Sequence, residues 1–224
     1  MKFIAIIQAR MGSTRLPGKV LMPFHGKSII QWVVERVKNA TRLEKVIVSI
    51  PDTSDNDILE SHLKASNYVI FRGSEDDLVK RFYDASRCYP SDAIIRVCAD
   101  NPLICPKEVD RLINYFAVNK CDYAYNHIPL KNSYPDGLGA EICSFDVLDS
   151  IYNNANKSSQ REHVFNYIWE NQELFNIKTF DAPDSIAYPE LKFDVDTRED
   201  YMNLLKKEYR ISMNAEEIIN LNIN

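Results

Sequence analysis

Apolar and polar positions alternate in two rhythms along the first 120 or so residues. "KFIAIIQ" (2–8) is a continuous apolar run, the pattern of a strand buried on both faces. In "SIIQWVVERVKNA" (28–40), Ile29, Ile30, Val33, Val34 and Val37 recur at helical spacing. Ser28 and Gln31 stand where a capping box would open that helix. The alternation continues: strand "KVIVSI" (45–50), helix "NDILESHLKA" (56–65), strand "YVIF" (68–71), helix "DDLVKRFYDASRCY" (76–89), strand "DAIIRVCA" (92–99). Pro106 suits the first turn of a fourth helix. Apolar strands alternating with amphipathic helices predict an α/β fold with a mostly parallel sheet covered on both faces.

After Cys121 the rhythm changes. "DYAYN" (122–126) and "GAEICSF" (139–145) read as strands separated by a loop containing Pro, Gly and Asn. "SSQREHVFNYIWENQ" (158–172) reads as one helix, with Ser159 and Glu162 as its capping box. "LKFDVD" (191–196) reads as a strand, followed by a helix that Thr197 caps. The expected organisation is one domain over 1–224: a core from about 1–121 and 191–224, with a small β/α subregion inserted at about 122–190. Ligands of open α/β sheets bind outside the carboxyl ends of the strands. That rule singles out 8–19, 49–55, 72–74, 98–102 and 194–197.

Composition narrows the chemistry. The 224 residues are 45% hydrophobic, enough for one substantial core, and the formal charge is −5. A net acidic chain without a basic face argues against nucleic-acid binding. Five cysteines form no C-x-x-C pair, so reduced thiols in a cytoplasmic protein are expected rather than disulfides or zinc. The four histidines show no metal-ligand spacing. The first apolar run is too short for a signal peptide or a membrane span, so no membrane association is expected.

"ARMGSTRLPGK", Ala9 to Lys19, suits phosphate. Gly12 permits close backbone approach, Ser13 and Thr14 donate, and Arg10, Arg15 and Lys19 offset anionic charge. It is not a Walker loop: five residues separate Gly12 and Gly18, and Val20 follows Lys19 where a hydroxyl would bind magnesium. On composition alone it is equally a solvated basic turn. Asp100, in "VCADNPLI", ends an apolar strand where a carboxylate can hold Mg²⁺, or can simply form the turn before Pro102. In "FDVDTRED", Asp194 and Asp196 point to one side of the strand, and spacing does not choose between them as a second ligand. Arg72 follows the third strand and suits a base, a ribose or a surface ion pair. Glu141 sits in "PDGLGAE"; Arg161, Glu162 and His163 stand together in "REHV" but do not share a helix face.

In order, "IIQARMGSTRLPGKVL", "FRGSEDDLVKRF", "IIRVCADNPLICP", "PDGLGAE", "REHV" and "FDVDTREDY" resemble the cytidylyltransferases that activate acidic sugars. The first motif is shared with the 3-deoxy-manno-octulosonate enzymes; the ordered set is similar to the spore-coat polysaccharide (SpsF-like) branch and spans nearly the whole chain. The resemblance implies a Rossmann-like three-layer sandwich of the nucleotide-diphospho-sugar transferase type. It implies a nucleotide site of Ala9, Arg10, Gly12, Ser13, Arg15, Lys19, Arg72 and Asp100, with Lys19, Arg10 and Arg15 catalytic. Asp100 and Asp196 become the Mg²⁺ ligands, and Asn126, Glu141, Arg161 and His163, with Tyr125, face the acceptor. A homodimer is implied too, with the inserted subregion at its interface. Asn101 and Cys98 depart from several members' residues beside the metal position, which leaves acceptor choice open.

The reaction so implied is transfer of CMP from CTP to a sugar-acid-like acceptor, with release of pyrophosphate, in cell-surface polysaccharide or glycoconjugate biosynthesis. Two other readings fit some of the same residues. One is a nucleotide-sugar glycosyltransferase using Asp194-Val195-Asp196 as a diphosphate clamp; the other is a nucleotide-binding partner subunit without catalysis.

Overall fold

A computed structural model describes residues 1–223. The elements run β1 (Phe3–Gln8), β2 (Pro23–Phe24), β3 (Lys27–Ser28), α1 (Ile29–Lys38), β4 (Lys45–Pro51), α2 (Asp57–Ala65), β5 (Val69–Gly73), α3 (Leu78–Cys88) and β6 (Ala93–Cys98). There follow α4 (Pro106–Asn119), β7 (Tyr123–Tyr125), β8 (Glu141–Ser144), α5 (Phe145–Asn154), α6 (Ser158–Glu162), α7 (Asn166–Glu170), β9 (Ile177–Thr179), α8 (Arg198–Leu205) and α9 (Ala215–Ile223). Seven strands form one sheet in the order β5-β4-β1-β6-β8-β7-β9. β5, β4, β1 and β6 are mutually parallel; β8 runs antiparallel to β6 and β7. The sheet is therefore a parallel half extended by an antiparallel turn-back.

Strand alternation sorts the core into two layers. Phe3, Ala5 and Ile7 of β1 face α1, α2 and α4, while Ile4 and Ile6 face α3 and α5. The predicted Ser28–Gln31 capping box forms at the start of α1. Arg36 is fully buried on α1, and its guanidinium donates to the carbonyls of Ile104, Ile211, Met213 and Leu103 at 2.6–3.3 Å. It ties the segment after β6 to the C-terminal segment, and burial without a carboxylate pulls it down to about 10.

Three expectations are corrected. The helix over 158–172 is broken: α6 stops at Glu162, His163 is extended, and the chain restarts as α7 after burying both Val164 and Phe165. A continuous helix would turn one of those neighbours away from the core. The Ser159–Glu162 capping box does not form; instead Gln160 Oε1 accepts from the backbone N–H groups of Asn156 and Lys157. "LKFDVD" is not a strand. It is an extended segment with a single bridge, Lys192 to Asp136, because its neighbours are loops: Phe193 N–H donates to Asp136 O and Val195 N–H to Asp100 O. The helices α5 and α9 and the strands β2, β3 and β9 carry no signal read from the sequence. All five cysteines are free thiols. Among the described residues no helix is long and apolar enough to cross a membrane.

Candidate active site

A cleft of about 210 Å³ opens over the carboxyl ends of β1 and β6. Its first wall is the loop that leaves β1. Gly18 takes φ +71°, which a side chain would strain, and turns the chain so that the next residue heads inward. Lys19 is thereby buried, with Nζ donating to Asp100 Oδ2 at 2.7 Å, Val195 O at 2.8 Å and Asp196 Oδ1 at 3.3 Å. Arg15, itself mostly exposed, meets the same Asp196 Oδ1 at 2.7 Å. Arg10 and Ser13 line the cleft as well. Beyond Gly12 the direction a Cβ would take is open space, so backbone is accessible there.

The second wall carries the acids. Asp100 lies just past β6, and its carbonyl accepts the Val195 N–H at 2.8 Å, which fixes 194–197 beside it. Gly137 holds that segment from behind: φ is +88°, and a Cβ there would stand 2.9 Å from the Asp194 nitrogen. Thr197 and Asp200 form the capping box of α8, and Asp200 also accepts the Asp196 N–H at 3.1 Å. The two aspartates left open by spacing now part company. Asp196 lines the cleft with Lys19 and Arg15. Asp194 lies behind it near Asp136 and 3.4 Å from Lys192 Nζ, and burial, then Asp136, pushes it up to about 7.

Asp100 and Asp196 converge on one cation, the Lys19 ammonium, within 2.7 and 3.3 Å. That convergence fits a magnesium site of the kind that takes one or two carboxylates, keeps its waters and completes its shell with phosphate oxygens. Among the described residues no group of three or more His, Cys, Asp or Glu is arranged around a metal position.

Six expected site residues lie outside the cleft lining, Gly12 and Tyr125 among them; Tyr125 is buried and its hydroxyl donates to the Leu130 carbonyl at 2.8 Å. Arg72 is held by Asp57 and Glu60, both at 2.7 Å, and by the Thr53 carbonyl. Arg161 grips Asp77, the N-cap of α3, at 2.7 Å and donates to Tyr152 O. Asn126 is fully buried and pairs with the Ala140 N–H and the Glu108 carbonyl. Glu141 is buried with Arg96 and Tyr123, to which it is hydrogen-bonded. His163, by contrast, lines the cleft, next to Glu162.

Glu141 still reaches the cleft indirectly. Arg96 bonds Glu141 on one side and donates from Nε to Gln8 Oε1 at 2.8 Å on the other. A guanidinium accepts nothing, so Gln8 must offer Arg96 its oxygen and keep its NH₂ for the cleft it lines. His127 stands 3.7 Å from Glu141, and burial, with Arg96 nearby, pushes its imidazole down to about 3.

The sequence reading passed over Glu75, Leu78 and Arg81 and gave Gln8 and Cys98 no role beyond the strand-end windows, yet all five line the cleft. Parity offered one usable signal: Gln8 and Cys98 are register partners on β1 and β6 and share a face. Burial pushes the Cys98 thiol up to about 11, so it stays protonated and is no nucleophile.

A family model described as cytidylyltransferase matches residues 4–219. The chain is 35% identical to an uncharacterized protein of Methanocaldococcus jannaschii, covering 98% of this chain and 89% of that one. It is 32% identical to the spore coat polysaccharide biosynthesis protein SpsF of Bacillus subtilis, covering 96% and 92%. A solved cytidylyltransferase from Leptospira borgpetersenii superposes with a TM-score of 0.89 at 31% identity, covering 98% of this chain and 93% of that one.

Proposed function

The chain belongs to the cytidylyltransferase family, and from that premise we propose that it transfers CMP from CTP to a sugar acid or a related small acceptor, releasing pyrophosphate, in polysaccharide or glycoconjugate biosynthesis. One observation carries the reading: Lys19 and Arg15 from the β1 loop meet Asp100 and Asp196 at the ends of two distant segments, inside one cleft. Cations for a polyphosphate and a carboxylate pair for a divalent ion are the two things nucleotidyl transfer needs in one place.

In this reading Arg10, Ser13, Arg15 and Lys19 hold the triphosphate. An acceptor hydroxyl attacks the α-phosphorus, a new P–O bond forms, and the bond to the bridging oxygen of pyrophosphate breaks. Lys19, Arg10 and Arg15 stabilise the charge gathering on the departing phosphates. Lys19 exchanges its aspartate partners for phosphate oxygens as CTP enters. Asp100 and Asp196 are the residues that would hold Mg²⁺, which would supply Lewis-acid polarisation of the phosphate oxygens. His163 and Glu162 line the cleft and, in this reading, face the acceptor, with His163 taking the hydroxyl proton. The structural chain from Gln8 through Arg96 to Glu141 stiffens the cleft floor from behind.

A pyrophosphate-release screen tests this. Each of the four common nucleoside triphosphates is offered with Mg²⁺ and a panel of keto-sugar acids, other sugars and phosphonates. Release from CTP with one acceptor class is the expected result; release only from UTP with a sugar 1-phosphate overturns the donor assignment.

A further inference from the structure

The turn from β5 into α3 and the start of α3 itself add to the cleft wall two charges that the mechanism above does not use, Glu75 and Arg81. Arg81 is only 3% exposed. Its Nη1 donates to the Ser74 carbonyl at 2.8 Å, its Nε is buried without a hydrogen-bond partner, and among the described residues it makes no ion pair. A buried cation left this way costs stability, so the position points to a ligand. Glu75 is exposed on the same wall, and the buried Leu78 lines the cleft too. Burial, with Arg10 nearby, lowers Arg81 to about 10, while Glu75 pulls in the opposite direction.

The topology says which end of a nucleotide comes here. A mononucleotide lies over the parallel half of a doubly wound sheet. The phosphate-binding charges sit over β1 and β6, in the middle of the sheet. β5 is the edge strand of the parallel half, so the wall built from the β5–α3 turn receives the part of the nucleotide furthest from the antiparallel extension.

We propose that Arg81 and Glu75 read the base edge and select cytosine over uracil, an assignment that rests on the CTP reading above. Cytosine presents two acceptors, O2 and N3, beside one donor, the N4 amino group. Uracil places an N3–H donor and an O4 acceptor where cytosine has N3 and N4. A guanidinium can only donate and a carboxylate can only accept. The pair therefore satisfies cytosine and confronts uracil twice, donor against donor and acceptor against acceptor. Such a mismatch is a built-in repulsion rather than a missing attraction.

The test is calorimetric titration of the full chain with CTP, UTP and inorganic triphosphate in Mg²⁺, for wild type, Glu75→Gln and Arg81→Lys. Wild type should prefer CTP over UTP by on the order of tenfold to a hundredfold. A glutamine at 75 can accept from N4 or donate to O4, so Glu75→Gln should shrink the CTP preference by about threefold or more, largely by tightening UTP, while the Arg81 clash with the uracil N3–H remains. Triphosphate affinity should stay unchanged in that variant, whose side chain lies on the surface and cannot unfold the chain by its loss. Arg81→Lys, with circular dichroism confirming its fold, should weaken CTP by about tenfold and leave triphosphate unaltered. An unchanged CTP:UTP ratio in Glu75→Gln, with wild type preferring CTP, removes this assignment alone. Equal loss of triphosphate binding in either variant also overturns it, since the residues would then serve the phosphates. A wild-type chain that shows no preference for CTP removes the CTP reading along with it.

Discussion

Lys19 Nζ and Asp100 Oδ2 meet at 2.7 Å although 81 residues separate them in the chain. The same ammonium reaches Asp196 Oδ1 at 3.3 Å. The ion pair closes the cleft on itself, in the place where a polyphosphate and a divalent ion would each find an opposite charge.

Lys19→Ala should lower turnover about a hundredfold or more, the usual loss when one preorganised donor is removed from a water-poor site. The variant also strips Asp100 of its cation and leaves it beside Asp196, which keeps Arg15 and Lys192. Its melting temperature in chelator should fall, and Mg²⁺ should restore more of it than in wild type. Differential scanning fluorimetry with and without Mg²⁺ checks this; equal Mg²⁺ responses in both proteins would contradict the convergence of the two carboxylates.

Asp196→Asn and Asp194→Asn should separate sharply despite their spacing. The Asp196 change removes a cleft carboxylate that both Lys19 and Arg15 contact, and should cost about a hundredfold in turnover with a raised Mg²⁺ requirement. The Asp194 change replaces a carboxyl already pushed up to about 7 behind the cleft, and should leave the Mg²⁺ requirement close to wild type. Mg²⁺ titrations of the two variants decide it; equal Mg²⁺ shifts would mean the pair acts as one clamp.

Arg36→Ala should destabilise the protein by about 3 kcal/mol or more, because it orphans carbonyls in two segments at once. Urea denaturation measures this. A loss below about 1 kcal/mol would mean water replaces the guanidinium without cost.

His127 predicts an acid limb of stability. Its imidazole is held down to about 3 in the folded chain and returns to its ordinary value near 6.5 on unfolding. Between those values the unfolded chain binds the extra proton, so stability falls as pH drops from about 6.5 toward 3, by up to about 1.4 kcal/mol per pH unit. His127→Gln should flatten that limb. Parallel slopes for the two proteins between pH 6 and pH 4 would refute it.

Local chemistry was legible in the sequence of the first half of the chain, and less so around Ser159 and Glu162, where burial of Val164 and Phe165 breaks the helix. Long-range use of side chains was not legible. The capping box of α1 depends on residues three apart, Ser28 and Gln31, and reads correctly. The cleft half-formed by Lys19, Arg15 and Asp100 follows from strand ends, which hydrophobic runs mark well. Asp194 and Asp196 share a parity, so only the packing of Asp136 and Gly137 behind one of them separates their environments. Arg161 and Asn126 look like polar site residues in a motif, yet the fold spends one on the cap of α3 and the other on the Ala140 turn. Arg81 carried the opposite disguise: a charged residue within an amphipathic helix reads as solvated surface, and only tertiary packing buries it against the cleft.

The central claim is that this cleft moves a CMP group. The most direct measurement is ³¹P NMR of the wild-type chain with CTP, Mg²⁺ and the acceptor that responds in the release screen. The account predicts loss of the triphosphate signals and matched growth of one phosphodiester and one pyrophosphate resonance, all absent with Lys19→Ala. CTP that persists unchanged with every acceptor, or a nucleoside diphosphate released from a nucleotide sugar under the same conditions, would contradict it.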